Sequence, residues 1–110
     1  MNNITYEDFK KMDIRVAKVI KAEHIPGKTK ILKLTVDIGL KDPRIIIAGG
    51  ADFCKPEYFA EKKFIALTNL TPRKIAGIES QGMLLAADAE GGKPIWLVAD
   101  GDAPVGAKII

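Results

Sequence analysis

The chain has 110 residues and a mass of 12.0 kDa, enough for one domain that buries roughly 65% of its unfolded surface and too little for two. With 47% hydrophobic and 28% charged residues, its composition is that of a folded globular protein and excludes disordered and fibrous classes. Residues 1–74 hold 15 Lys and Arg against 9 Asp and Glu, whereas residues 75–110 hold 2 against 5, so the first two-thirds can present the basic face that a polyanion favours, although the same lysines would serve equally to solvate a stable fold.

No apolar run approaches the roughly 20 residues that cross a bilayer, and Met1 to Lys11 is polar where a signal peptide would carry an apolar core. The expectation is a cytoplasmic protein, neither exported by such a signal nor anchored in a membrane. Cys54 and His24 are the single cysteine and histidine, too few for an internal disulfide or a four-ligand structural zinc site. No metal or other cofactor is expected.

In chain order, Thr5 followed by Asp8, Phe9 and Met12 predicts a short N-terminal helix closed by a capping box. Ile14 to Ile20 predicts a half-exposed strand with Ile14, Val16 and Ile20 on one face. Lys30 to Ile38 predicts a second, alternating at Leu32, Leu34, Val36 and Ile38. Arg44 to Ala48 is a continuous apolar run ended by Gly49-Gly50, the pattern of a strand covered on both faces. Pro56 to Glu61 predicts one short helix, with proline at the first helical position and an acid in the first turn. Apolar runs at Lys63–Leu70, Gly82–Ala87 and Pro94–Val98 complete an all-β plan without repeats or linkers, a single domain over residues 1–110. It matches the five-stranded OB-fold Greek-key barrel with a short helix between strands 3 and 4, here with an N-terminal helix and extra C-terminal strands.

Catalytic constellations are missing from this inventory. His24 lies at a strand end with Glu23 on the opposite face, Cys54 sits beside Lys55 in a loop, and Gly49-Gly50 lacks the remainder of a phosphate loop and reads as a tight turn. The residues dense in donors and cations run from Asn69 to Leu85. Pro72 stiffens the entry to this segment, Gly77 and Gly82 permit special dihedrals, and Arg73 and Lys74 are presented together where they can bridge phosphates. A solvated hairpin loop in which Asn69 and Ser80 cap backbone groups accounts for the same residues equally well.

Asp13-Ile14-Arg15-Val16, Pro26 with Lys30, Val36-Asp37-Ile38-Gly39 and above all the run from Asn69 to Ala87 resemble the OB-fold tRNA-binding domain family. This family includes free-standing tRNA-binding proteins, the C-terminal domain of methionyl-tRNA synthetases and the endothelial monocyte-activating polypeptide group. The resemblance covers nearly the whole chain and implies a non-catalytic module that recognises tRNA by shape. Its implied contacts are Lys30, Asn69, Arg73, Lys74, Ser80 and Met83, to which the basic residues Lys28 and Lys33 are added as phosphate partners. Met83 is open to a second interpretation, as a core residue of the strand before Leu84, and Lys33 as a plain solvent-side residue. The segment Gly27-Lys28-Thr29 departs from the commoner family pattern by gaining a lysine and losing an acid.

The resemblance further implies a free-standing homodimer, its surface supplied by Ile4–Phe9 and Pro104–Ile110, with an aminoacyl-tRNA synthetase as a further partner. The rival function on the same fold is that of the CsaA-like dimeric export chaperones, which bind unfolded peptides and would need an apolar groove.

Overall fold

The computed structural model describes residues 1–110. Thr5 caps α1 (Tyr6–Lys10) as expected: its hydroxyl accepts from the Asp8 amide at 3.1 Å, and the Asp8 carboxylate accepts from the Thr5 amide at 3.5 Å. The box satisfies donors that a helix start leaves orphaned. α1 buries none of its residues.

β1 (Ile14–His24) runs further than the sequence predicts. Its register slips between Val19 and Lys21, leaving Ile20 at the bulge and 47% exposed, while Ala17 and Val19 before it face the core. Of Ile14, Val16 and Ile20, Val16 is buried and Ile20 is exposed. The bend that accompanies such a bulge lets the first half of β1 pair with β4 (Lys63–Leu67) and the second half with β2 (Ile31–Asp37).

β2 alternates cleanly, with Leu32, Leu34 and Val36 buried, and it pairs on its far side with β3 (Arg44–Gly49), where Ile46, Ile47 and Ala48 are all covered. Two short ribbons follow β4. The first is β5 (Arg73–Ile75) with β6 (Ile78–Ser80), and the second is β8 (Ala86–Asp88) with β9 (Pro94–Trp96), β7 (Met83–Leu84) lying between them. The main sheet is five-stranded and antiparallel in the order β3-β2-β1-β4-β7.

A five-stranded sheet so ordered leaves β3 and β7 as edges, and unpaired edge groups are a liability. Here β3 is closed against the chain just before β7 by side chains as well as backbone. The Gln81 amide donates to the Ile45 carbonyl at 2.7 Å, Gln81 Oε1 accepts from the Ile45 amide at 2.9 Å, and Ser80 Oγ accepts from the Ile47 amide at 3.0 Å. Gly82 follows with φ +149°; a Cβ there would lie 2.9 Å from the Leu67 carbonyl oxygen, so only glycine permits this approach.

α2 (Pro56–Phe59) lies between β3 and β4, as predicted, with proline in its first turn. It delivers Phe59, fully buried, to the aromatic cluster that plugs one part of the core. The Phe59 ring centroid lies 5.6 Å from Phe64 and 5.4 Å from Trp96, within the range in which tilted and edge-on rings attract. The C-terminal segment is tied to β1: Val16 donates to the Ala107 carbonyl, Gly106 to that of Val16 and Ile109 to that of Ile14.

Candidate nucleic-acid interface

β3, β7 and the two ribbons β5–β6 and β8–β9 build one groove on the barrel. Ile47, Gly49 and Gly50 form one wall, the ribbon residues Arg73, Ile75 and Ser80 another, and Met83, Leu85, Pro94 and Trp96 the floor and far side. The cavity is about 430 Å³, room for a nucleotide base but not for a folded domain. Gly50, at φ +86°, lets the turn after β3 approach Pro94, since a Cβ would sit 2.7 Å from Pro94 Cγ.

The 69–85 segment, expected as a loop, is a built element. β5 and β6 pair Arg73 with Ser80, Lys74 with Glu79 and Ile75 with Ile78, turning at Ala76-Gly77 with positive φ at both positions. A two-residue turn with this handedness matches the strand twist and fixes the register. Arg73 and Lys74 therefore project from a ribbon, both exposed. Eight of the 17 Lys and Arg residues have a carboxylate within 4.0 Å, and neither Arg73 nor Lys74 is among them. Their charge is not cancelled by an ion pair, which leaves it available to an anion.

None of the remaining expected cations lines the groove. Lys33 stands opposite Ile47 in the β2–β3 register and keeps a long ion pair to Glu23 at 3.9 Å, so it is held on the strand's outer side. The Lys30 carbonyl accepts from the Ala51 amide at 3.1 Å, which fixes that lysine's backbone at the Gly50 end of the groove. Lys28 is exposed in the β1–β2 turn, next to Gly27 at φ +77°. Met83 is 44% exposed and lines the groove, while its neighbour Leu84 turns into the core; of the two interpretations the sequence allows, the structure selects the surface one.

Asn69 and Ser80 have their side-chain bonds inside the protein. Asn69 Oδ1 accepts from the Asp13 amide at 2.8 Å and its Nδ2 donates to the Lys11 carbonyl at 2.7 Å. Ser80 is 5% exposed; besides accepting from Ile47 it donates to the Gly82 carbonyl at 3.2 Å. The Ser80 hydroxyl thus ties β3 to the chain before β7 while lining the groove wall. Ser80→Ala is expected to leave the Ile47 amide buried without an acceptor, a loss of about 1–3 kcal/mol, measured as a lower urea midpoint with an unchanged slope.

Two residues that sequence reasoning passed over hold the segment's ends. Arg44 Nη1 donates to the Thr68 carbonyl at 2.8 Å and to that of Gln81 at 3.4 Å, joining the positions where the ribbon leaves and re-enters the barrel. Asp13 anchors the neighbouring turn: its carbonyl accepts from both the amide and the hydroxyl of Thr68, each at 2.8 Å. Its carboxylate accepts from Arg15 Nε at 2.9 Å, with Lys108 Nζ 3.9 Å away.

The Arg15 hydrogen bond, helped by the charges of Arg15 and Lys108, holds the Asp13 carboxyl below the usual carboxylate range against the opposing push of burial. A group whose folded pKa is depressed stabilises the fold above its unfolded pKa, and this contribution is lost as pH falls through the folded value. Asp13→Asn is therefore expected to melt below the parent at neutral pH, with the gap closing as pH falls below the ordinary aspartate value. Thermal melts across that interval check it, and a gap that stays constant contradicts it.

Residues 14–108 match the model of the family described as the putative tRNA binding domain. The chain belongs to that family. Among curated relatives of this tRNA-binding domain, it is 45% identical over 108 residues to methionine–tRNA ligase of Thermotoga maritima, covering 98% of this chain and 17% of the ligase; the chain thus spans about one-sixth of that enzyme. Among solved structures, the MetRS-related protein of Pyrococcus horikoshii matches with a TM-score of 0.91 at 41% identity over the full length of both chains. The chaperone CsaA of Bacillus anthracis matches with a TM-score of 0.88 at 27% identity, covering 99% of this chain and 100% of that one. The tRNA-binding domain thus has near neighbours on both functional branches of its fold, and the fit is closer to the MetRS-related one. No helix in it is long and apolar enough to cross a membrane.

Proposed function

We propose that this domain is a non-catalytic, cytoplasmic tRNA-binding module that grips folded tRNA through its phosphates. The observation that carries the proposal is the β5–β6 ribbon, which holds Arg73 and Lys74 exposed and without ion-pair partners, Arg73 lining a groove shared with Met83 and Trp96 and Lys74 on the ribbon's opposite face. Lys28, Lys30 and Lys33 add positive charge outside the groove, and Asn69 and Ser80 serve by holding the ribbon's supports in place. Cations fixed on a rigid ribbon match phosphates spaced by folded RNA, and their binding releases condensed counterions. Aromatic residues make up 6% of the chain, which suits backbone and shape recognition better than a run of stacked single-stranded bases.

The module acts as a homodimer and assists an aminoacyl-tRNA synthetase. The likeness to methionine–tRNA ligase supports the synthetase, and exposed apolar residues at both ends of the chain, Ile4 and Tyr6 near one and Ile110 at the other, supply a self-association surface. The groove floor is apolar, the feature a CsaA-like chaperone would use for unfolded peptides, so the deciding test includes both ligands. Fluorescence anisotropy with labelled folded tRNA, a length-matched unstructured RNA and an unfolded peptide is expected to rank folded tRNA first. Tight peptide binding without affinity for tRNA would replace the proposal with the chaperone function.

A further inference from the structure

The ribbon has a cleft on each side of its root. Leu70 and Thr71 line the groove described above and also a second cleft of about 490 Å³, whose other walls are Asp13, Arg44, Thr68, Asn69, Pro72 and Gln81. Only one of the residues lining this second cleft is hydrophobic, so it is not a place for an apolar ligand.

Its charges are unequal in a telling way. Asp13 is the one carboxylate lining it, and that carboxylate is already engaged by Arg15 at 2.9 Å with Lys108 at 3.9 Å. Arg44 has no carboxylate within 4.0 Å. A guanidinium carries five N–H donors in a planar fork, and the bonds Arg44 makes inside the protein, to the Thr68 and Gln81 carbonyls, both come from Nη1. Its Nε and Nη2 have no protein partner, yet the only side-chain nitrogen or oxygen buried without a partner in the chain is Trp96 Nε1. The free edge of the Arg44 fork therefore reaches solvent. A guanidinium edge without a carboxylate partner, in a cleft that Thr71 also lines, is suited to a phosphate oxygen pair.

We propose that the Arg44–Thr71 cleft is a second phosphate subsite, which takes a backbone phosphodiester of the same RNA whose neighbouring phosphates lie on Arg73 and Lys74. This rests on the tRNA binding proposed above. The RNA strand crosses the ridge at Leu70-Thr71, and Arg44 has two functions, fastening the ribbon through Nη1 and receiving phosphate through its other edge.

The test compares the unaltered domain with Arg44→Lys and Arg44→Gln in tRNA titrations over a salt series, each variant checked by thermal melting. Losing one phosphate contact is expected to make the slope of log K against log salt shallower by about 0.7–0.9 in Arg44→Gln, while Arg44→Lys keeps most of the slope. If the parent binds tRNA and Arg44→Gln changes melting temperature but not slope, the subsite is overturned and tRNA binding stands. If the parent does not bind tRNA, both fall.

A second measurement uses the unaltered domain and stands even where a variant fails to fold. The arginines are Arg15, Arg44 and Arg73, so three Nε–Hε resonances report the guanidinium groups. Adding tRNA is expected to shift those of Arg44 and Arg73 and to leave Arg15, locked on Asp13, in place. An Arg44 resonance that does not move with tRNA, or that moves only with an acidic peptide, contradicts the proposal.

Discussion

Replacing Arg73 and Lys74 together by alanine is expected to weaken folded-tRNA binding by on the order of a hundredfold at moderate salt, taking about 1.5 kcal/mol, the low end for a hydrogen bond to a charged group, for each contact. Both side chains stand out from a ribbon whose register is fixed by backbone pairing, and neither touches a carboxylate, so their removal breaks no ion pair within the protein. The melting temperature should stay within a degree or two of the parent, because exposed substitutions of this kind change stability by less than about 0.5 kcal/mol. The salt slope should become shallower by about 1.5, twice the increment of one phosphate. Titration by anisotropy measures the affinity and the slope together. Equal affinity for parent and double variant would remove the ribbon from the interface, and a large drop in melting temperature would show that the ribbon is instead part of the core.

Phe59→Ala is expected to have the largest effect on stability, a loss of about 3–5 kcal/mol. The α2 helix offers a single buried residue to the barrel, and its ring meets Phe64 and Trp96 at centroid distances of 5.6 and 5.4 Å. Truncation leaves a cavity under Trp96, which also lines the groove, so the loss reaches the site through its floor. Trp96 is the only tryptophan and reports the change directly: denaturant unfolding followed by its emission should show the midpoint falling, and the emission of the folded variant should move to longer wavelength as water approaches the ring. A midpoint unchanged from the parent would mean that Phe59 does not anchor the helix. In a chain of this size such a loss is a large share of the total stability, so the variant's tRNA affinity is to be measured well below its melting temperature.

Local chemistry was readable from the sequence, and its closure was not. The Thr5 and Asp8 box, the proline that opens α2 and the alternation of Leu32, Leu34 and Val36 are encoded within a few residues of each other, and all three elements stand where the sequence puts them. β1 runs past its expected end at Ile20 to His24 because a bulge there lets the strand go on pairing with β2; the faces reverse after the bulge, and only that pairing reveals the slip. The apolar run at Gly82–Ala87 likewise splits into β7 and β8, because Met83–Leu84 pairs with β4 whereas Ala86–Asp88 pairs with β9, a change of partner that hydrophobic periodicity cannot show.

The same limit applies to the site. The cations of Arg73 and Lys74 were legible as a constrained pair, since proline and glycine bracket them. The structural work of Asn69 and Ser80 was legible only as one of two interpretations, because a short polar side chain in a turn is chemically able to do either. Arg44 was hidden altogether: it opens an apolar strand, and its importance lies in two carbonyls that are distant in sequence, at Thr68 and Gln81. A partner set of that kind exists only after the barrel has closed.

The measurement that tests phosphate recognition most directly is the salt dependence of folded-tRNA binding by the unaltered domain. If Lys28, Lys30, Lys33, Arg73 and Lys74 each meet a phosphate, log K should fall linearly with log salt at a slope of about −3.5 to −4.5, and Arg44 would steepen it by one further increment. A slope near zero would contradict phosphate recognition, whatever the affinity.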